Sequence, residues 1–454
     1  MPTLQARTAL TPAGWSRDVR IELDEHGVIT AVTSGVPSPR IDADVLLPAP
    51  VNLHSHAFQR AMAGLSERRG PNPRDSFWTW RTLMYRFLER LDPDDVEAIA
   101  AFVQMEMLEC GQAAVVEFHY LHHGPDGHPY ENVGELSARI ASAAATSGIG
   151  LTLLPVLYSV GGCDGRALAG GQRRFGNDPE RFARLHERAG EAIAALPADA
   201  RLGVAPHSLR AVTREGLAFA AELAPRSPLH LHVAEQPAEV EEVQAAYGAR
   251  PVEWLLANHD VDTRWCLIHA THMVPAESVA LARTGAVAGL CPITESNLGD
   301  GIFDARRYVD AGGAFGVGSD SNLRLSLAEE LRTLEHTQRL RDGARNVLAD
   351  ETRSTGRCLF DAVCAGGAQA ANRPCGRIEP GAFADLLALD GQATSLVGRD
   401  GDTRLDAFVF ADAERAITDV WAAGRHLVRE GRHVRREAIE SRYRRTLRTL
   451  VDAA

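Results

Sequence analysis

Val51-Asn52-Leu53-His54-Ser55-His56 reads as a buried strand that runs abruptly into two histidines. The same event recurs along the chain. Ala113–Phe118 leads into His119-Tyr120 and contains Glu117, Leu202–Ala205 ends in Pro206-His207 with Arg210 just beyond, and Leu229–Val233 carries His230 and His232 before Ala234-Glu235. Trp265–Ile268 ends in His269, and Ala314–Val317 ends in Gly318-Ser319-Asp320. Together with Leu47–Leu53, Gly150–Leu157 and Ala286–Leu290 these make eight candidate strands. Helical patterns such as Pro93–Glu109, Arg181–Ala195, Arg214–Leu223 and Ala238–Tyr247 lie between them. The alternation predicts an α/β fold, a (β/α)8 TIM-type barrel, which typically takes ~250 residues and grows by loop insertion. The C-terminal ends of its strands form one rim, where active sites are built. One histidine at a strand end says little; six strand ends bearing such groups point to a site.

Outside the barrel the pattern changes. Val19–Leu23 and Val28–Val32 flank the turn Asp24-Glu25-His26-Gly27, and Ala384–Leu389 follows Glu379-Pro380-Gly381. Asp419–Ala423 and His426–Arg429 flank Gly424-Arg425 like a hairpin. One small β domain made from both termini, residues 1–48 plus 373–435, accounts for this around a barrel at 49–372. The tail, 436–454, reads as an exposed Arg-rich C-terminal helix with a solvated face.

Composition excludes several chemistries. Of 454 residues, 48 are basic and 60 acidic, for a net charge of −12, and every basic residue is Arg. Without lysine there is no Schiff-base chemistry, no lysine-dependent phosphate loop and no metal pair bridged by a modified lysine. A net acidic surface argues against a nucleic-acid partner. Seven cysteines without a C-x-x-C pair predict free thiols in a reducing, cytoplasmic setting. The start, MPTLQARTALTPAGW, lacks a signal-peptide core, and no apolar stretch reaches the ~18 residues of a membrane helix.

His54 and His56, two apart on one strand, point to the same face and can share one metal. His232 from the fifth strand and Asp320 from the eighth complete three imidazoles and a carboxylate, a set suited to zinc or iron. Such a set leaves a position open for water, as catalytic sites do. The fourth strand ends in His207 rather than a bridging lysine, so the expectation is one ion. Glu235, three residues after His232, is placed to move a proton between water and a substrate nitrogen. The competing reading is a first-turn carboxylate, since Pro237 and a helical pattern follow. His269 and Asp320 are placed to orient the water, and His230 reads as a packed barrel histidine.

These residues resemble the amidohydrolase superfamily, in its mononuclear deaminase branch, where a small β-sandwich from both termini flanks the barrel. The stretches Gly376–Leu386 and Asp419–Arg425 resemble the re-entry into that sandwich. More narrowly, Val51–Leu65, Phe77-Trp78-Thr79-Trp80-Arg81, His119–His123 and Pro206–Arg210 are similar to the enzymes that deiminate N-formimino-L-glutamate in histidine degradation. The resemblance implies hydrolysis of that small acidic amidine to N-formyl-L-glutamate and ammonia, with one divalent ion per subunit, Zn2+ or else Fe2+. It carries substrate-binding roles onto Gln59, Arg81, Tyr120, His207 and Arg210, with Arg74 and Arg86 close to Arg81 in sequence. Arginine suits the task because its two parallel donors match a carboxylate. A homodimer is expected from the frequency of twofold assemblies. The alternative is a related deaminase acting on a guanidino acid, guanine or another nucleobase.

Overall fold

Continuous apolar runs become buried parallel strands in this chain, and the more alternating segments at its two ends become an antiparallel sheet. The computed structural model describes residues 2–68 and 77–452. From the N-terminal end come β1 (Thr3–Thr11), β2 (Gly14–Leu23), β3 (Ile29–Thr33) and β4 (Ala43–Pro48). Then follow β5 (Val51–Ser55), β6 (Ala114–His119), β7 (Gly150–Leu157), β8 (Arg201–Leu202), β9 (Ala205–Pro206), β10 (Leu229–Val233), β11 (Trp265–His269), β12 (Val287–Leu290) and β13 (Ala314–Val317). The last four are β14 (Leu386–Leu389), β15 (Ile417–Ala422), β16 (Arg425–Arg429) and β17 (Arg432–His433).

Strands β5-β6-β7-β8 and β10-β11-β12-β13 form two parallel ladders, with β9 extending the fourth strand along β7. Bridges Val204–Leu229 and Ser208–His232 join the fourth strand to the fifth, and Ser55–Asp320 joins the eighth to the first. The barrel is therefore closed. Its seam is made by site residues themselves: the His56 N–H donates to the Asp320 carbonyl and the Asp320 N–H to the His54 carbonyl, both at 2.9 Å. Asn52 Nδ2 donates to Ser319 Oγ at 2.7 Å across the same seam. A Cβ on Gly318 would sit 2.6 Å from the His54 nitrogen, so only glycine allows this approach.

Both termini enter one eight-stranded sheet, β17-β16-β15-β14-β4-β1-β2-β3. The Val28–Phe383 bridge, with the Ile29 N–H donating to the Ala382 carbonyl at 2.8 Å, ties the β3 edge to the segment entering β14. The ladder thus folds back on itself around Val19, Ile21, Leu46, Leu386 and Trp421. It is fastened to the barrel by buried charge. Arg373 donates to Asp385 at 2.7 and 3.0 Å and to Asp199 at 2.8 Å, and Arg425 on β16 also binds Asp199. Burial alone would raise the Asp199 carboxyl, but Arg425 and Arg373 hold it below its ordinary value. That contribution is fully present above the unfolded pKa and is lost as pH falls through the lower, folded-state value. Replacing Arg373 with Met leaves the buried Asp385 without its charged partner and Asp199 with Arg425 alone, and is expected to cost about 3–5 kcal/mol, read as a lowered denaturant midpoint.

Two expectations are corrected and one strand is added. Leu47–Leu53 is not one strand: β4 ends at Pro48 in the terminal sheet and β5 begins at Val51 in the barrel. Pro48 and Pro50 lack the N–H that a continuous ladder needs. Strand β1 was not foreseen, because its buried Ala6 and Ala9 alternate too weakly with threonines. The C-terminal helix Arg436–Asp452 is not merely solvated; Ile439 and Leu450 are buried, and Tyr443 stacks on Phe102 at 3.9 Å. Arg442 reaches Glu97 at 2.5 Å on the same helix pair. Residues 453–454 lie outside the described residues. All seven cysteines are free, and among the described residues no helix is long and apolar enough to cross a membrane.

Candidate active site

His54, His56, His232 and Asp320 meet at the C-terminal mouth of the barrel, each of them buried. His54 Nε2 lies 3.1 Å from His232 Nε2 and 3.4 Å from Asp320 Oδ1, which is 3.3 Å from His56 Nε2. Ligands bonded to one ion at 2.0–2.2 Å stand about 2.9–3.6 Å apart when a fifth position is kept for water, so the donor set fits one such ion. The tautomers fit as well. His56 Nδ1 donates to the Phe118 carbonyl at 2.9 Å and His232 Nδ1 to the His207 carbonyl at 3.1 Å, which turns both Nε2 lone pairs inward. Burial lowers the His54 imidazole to about 3 and His232 well below its ordinary value, so all favour the neutral, ligating form. Asp320 would be raised by burial, but the hydrogen bond from His54 and the surrounding imidazoles bring it well below the carboxylate range.

The strand ends are bent to achieve this. Asp320 has φ +48°, His269 +67° and Ala234 +50°, the left-handed region that non-glycine residues occupy at about 1–3 kcal/mol each. Such strain at the rim turns side chains into the mouth instead of along the strand.

Beside the quartet stand Glu235 and His269, with His269 Nε2 3.9 Å from both Glu235 Oε1 and Asp320 Oδ2. The alternative of Glu235 as a helix-start carboxylate is settled by its neighbour. Glu239, in the first turn of helix Pro237–Tyr247, accepts the N–H groups of Ala234 and Glu235 at 3.2 and 3.1 Å. Glu235 is thereby left to face the pocket, where it meets Arg210 Nη2 at 3.4 Å. Burial pushes the Glu235 carboxyl up. For His269 burial is opposed by Glu235, Glu295 and Asp320, which together hold the imidazole up to about 10.

Gln59, Arg81, Tyr120, His207 and Arg210 line the same pocket as His56, His232, Glu235, His269 and Asp320, while His54 sits beneath them. Gln59 Nε2 donates to Tyr120 Oη at 2.7 Å, and its Oε1, buried, has no partner. His207 stacks on His232 at 4.9 Å. Arg81 Nη2 donates to Tyr158 Oη at 3.0 Å. Arg86 is exposed and away from the pocket, and Arg74 lies outside the described residues. His230 is a packed residue, bonded through Nε2 to the Ala370 carbonyl at 2.9 Å.

Sequence reasoning missed Glu295, which accepts from His269 Nδ1 at 3.2 Å and from the Cys291 N–H at 2.8 Å. It also missed Asn322, whose Nδ2 donates to the His56 carbonyl at 3.1 Å, and the pocket tyrosines Tyr85 and Tyr158. The signal for Glu295 was the run Cys291-Pro292, a helix start directly after a strand.

A closed barrel whose rim gathers three imidazoles and an aspartate defines a metal-dependent hydrolase, and the "Amidohydrolase family" model matches residues 45–427: the chain belongs to the amidohydrolase family. A second model, "Formimidoylglutamate deiminase HutF, N-terminal domain", matches residues 1–39. The formimidoylglutamate deiminase of Pseudomonas aeruginosa is 49% identical over 461 residues, covering 100% of both chains. The crystal structure of an amidohydrolase from Brucella melitensis superposes with a TM-score of 0.95 at 48% identity, over 99% of this chain and 100% of that one. An adenosine deaminase from Xanthomonas campestris, solved with bound zinc, shares the fold at a TM-score of 0.81 and 21% identity, over 99% and 98% of the two chains.

Proposed function

We propose that the chain hydrolyses N-formimino-L-glutamate to N-formyl-L-glutamate and ammonia, a step of histidine degradation. The observation that carries this reading is a pocket with Arg81 and Arg210 among its lining and the His54-His56-His232-Asp320 quartet at its base. Full-length identity of 49% to a formimidoylglutamate deiminase supports it. His54, His56, His232 and Asp320 are assigned as ligands of one divalent ion. Zinc is the assigned metal, supported by the set of three imidazoles and one carboxylate, with iron(II) as the alternative that metal analysis decides. When bound, the ion supplies Lewis acidity that lowers the pKa of water from 15.7 toward about 7.

The chain's own residues do the rest. Asp320 and His269 orient the attacking water against the formimino carbon. Glu235 accepts one proton as the new C–O bond forms and passes it to the imino nitrogen, giving a tetrahedral carbon that bears OH and NH2. The proton of that OH then passes by way of Glu235 to the same nitrogen as the C=O forms and the C–N bond breaks, so NH3 leaves and the N-formyl product remains. Gln59, Tyr120 and His207 orient the amidine, and Arg81 and Arg210 hold the carboxylates. Fixing a distant part of the substrate in this way can contribute up to ~7–11 kcal/mol of the barrier. The catalytic unit is taken as 49–372, with the β domain as 1–48 plus 373–435 and the helix 436–454 beyond it. A cytoplasmic homodimer without nucleic-acid or membrane partners is the assembly we assign, to be checked by sedimentation.

The direct assay is ammonia release from N-formimino-L-glutamate, set against its aspartate homologue and guanine; preference for guanine would reject the reading. Arg81→Met is expected to raise KM about 10- to 100-fold with little change in kcat, as loss of charged hydrogen bonds predicts. Arg210→Met is expected to raise KM similarly and also lower kcat, because Arg210 contacts Glu235. Steady-state kinetics separate the two patterns.

A further inference from the structure

The helix Phe77–Leu88 brings Trp80, Arg81, Met84 and Tyr85 to the pocket, with Tyr85 one turn beyond Arg81. The Tyr85 hydroxyl is buried and lines the pocket; the Arg81 guanidinium acts on its oxygen, and its own proton meets no acceptor. Buried polar groups are almost always paired, so an orphan proton facing a substrate cavity marks a place for a ligand atom. The ring itself is firmly held. Arg81 Cζ lies 5.3 Å from its centroid and Phe175 packs at 6.3 Å. A Cβ on Gly171 would stand 2.7 Å from Tyr85 Cδ1, so glycine there is what makes room for the ring.

Tyr158 completes the picture. Its oxygen receives Arg81 Nη2 and Gln172 Nε2, each at 3.0 Å, and Gln172 is oriented by the Ala169 N–H on its Oε1 at 3.1 Å. Arg81 is therefore aimed by a fixed acceptor. The second pocket cation, Arg210, is engaged by Glu235 at 3.4 Å and Glu239 at 3.6 Å. A carboxylate docking on Arg81 has lone pairs to spare. Tyr85 is a neutral donor one turn from Arg81, and burial pushes its phenol up to about 12, so that it keeps its proton at working pH.

We infer that Tyr85 is a substrate-binding and specificity-determining residue whose hydroxyl donates to the carboxylate held by Arg81, with Tyr158 as the residue that positions Arg81. This rests on the acidic-amidine reading above and deepens it. In that reading Tyr85 selects acids by recognition and takes no part in bond breaking.

The test uses Tyr85→Phe, which keeps the ring against Gly171 and Phe175. With metal-loaded protein and N-formimino-L-glutamate, KM is expected to rise about 10- to 100-fold with kcat within about twofold, the size of a lost hydrogen bond to a charged group. On N-formimino-4-aminobutyrate and N-formimino-L-norvaline, each missing one carboxylate, the effect is expected to vanish for one and persist for the other. An unchanged KM on the diacid, an equal rise on all three compounds, or a fall in kcat alone would overturn the proposal. A second measurement does not depend on turnover. Calorimetric binding of glutarate is expected to weaken by the same factor in Tyr85→Phe, and equal binding to wild type and variant would overturn the assignment. Wild-type protein that binds glutarate but releases no ammonia from N-formimino-L-glutamate would instead count against the proposed function.

Discussion

Replacing Glu235 with Gln is expected to leave metal content and fold unchanged while lowering kcat by about 10²- to 10⁴-fold, the range of general acid–base catalysis. Gln has the volume of Glu but cannot accept and return a proton. Metal content should hold because the contacts of Glu235 are Arg210 at 3.4 Å and His269 at 3.9 Å, not the four ligand atoms. The backbone around it should hold too, since Glu239 secures the N–H groups of Ala234 and Glu235. KM is expected to change less than kcat, since the substrate is held by other side chains. Metal analysis on the same sample as the ammonia assay checks both halves. A variant with wild-type kcat would remove Glu235 from the proton path, and one that lost its metal would make it a ligand or a ligand's support.

The second large effect concerns Asp320. Replacement by Asn is expected to strip the metal and lower turnover by at least about 10³-fold, since ionised water would no longer be abundant at neutral pH. Asp320 Oδ1 also lies 3.4 and 3.3 Å from His54 Nε2 and His56 Nε2, and its backbone closes the barrel seam. Asn keeps the backbone bonds but removes the charge that three neutral imidazoles need beside them. The fold is therefore expected to survive with the site empty. Retention of one equivalent of metal by this variant would remove Asp320 from the ligand set.

The strand-end pattern was legible because a parallel barrel makes it so. The barrel strands are mostly buried and apolar, so a histidine or aspartate at or just past a strand's end stands out against Val, Leu and Ile, even though Asn52, Glu117, Thr152 and His230 lie inside strands. That is why His54, His56, His232, His269 and Asp320 could be read without a structure. Glu295 was missed because β12 ends at Leu290 and is followed by Cys291, without a polar residue, and the carboxylate arrives a helical turn later. Tyr85 was hidden for a similar reason: on an amphipathic helix an aromatic reads as core, and only the cavity shows that its hydroxyl proton is left over. The run from Leu47 to Leu53 hid a change of sheet, since both strands are buried and only Pro48 and Pro50 mark the break. In the C-terminal helix the arginines drew attention from Ile439, Tyr443 and Leu450, which do the packing.

The most direct measurement starts from metal-free protein and follows ammonia release from N-formimino-L-glutamate as Zn2+ is added. Activity should rise in proportion to the added ion and level off at one equivalent per chain. A plateau at two equivalents, or full ammonia release with no divalent ion bound, would contradict a single ion held by His54, His56, His232 and Asp320.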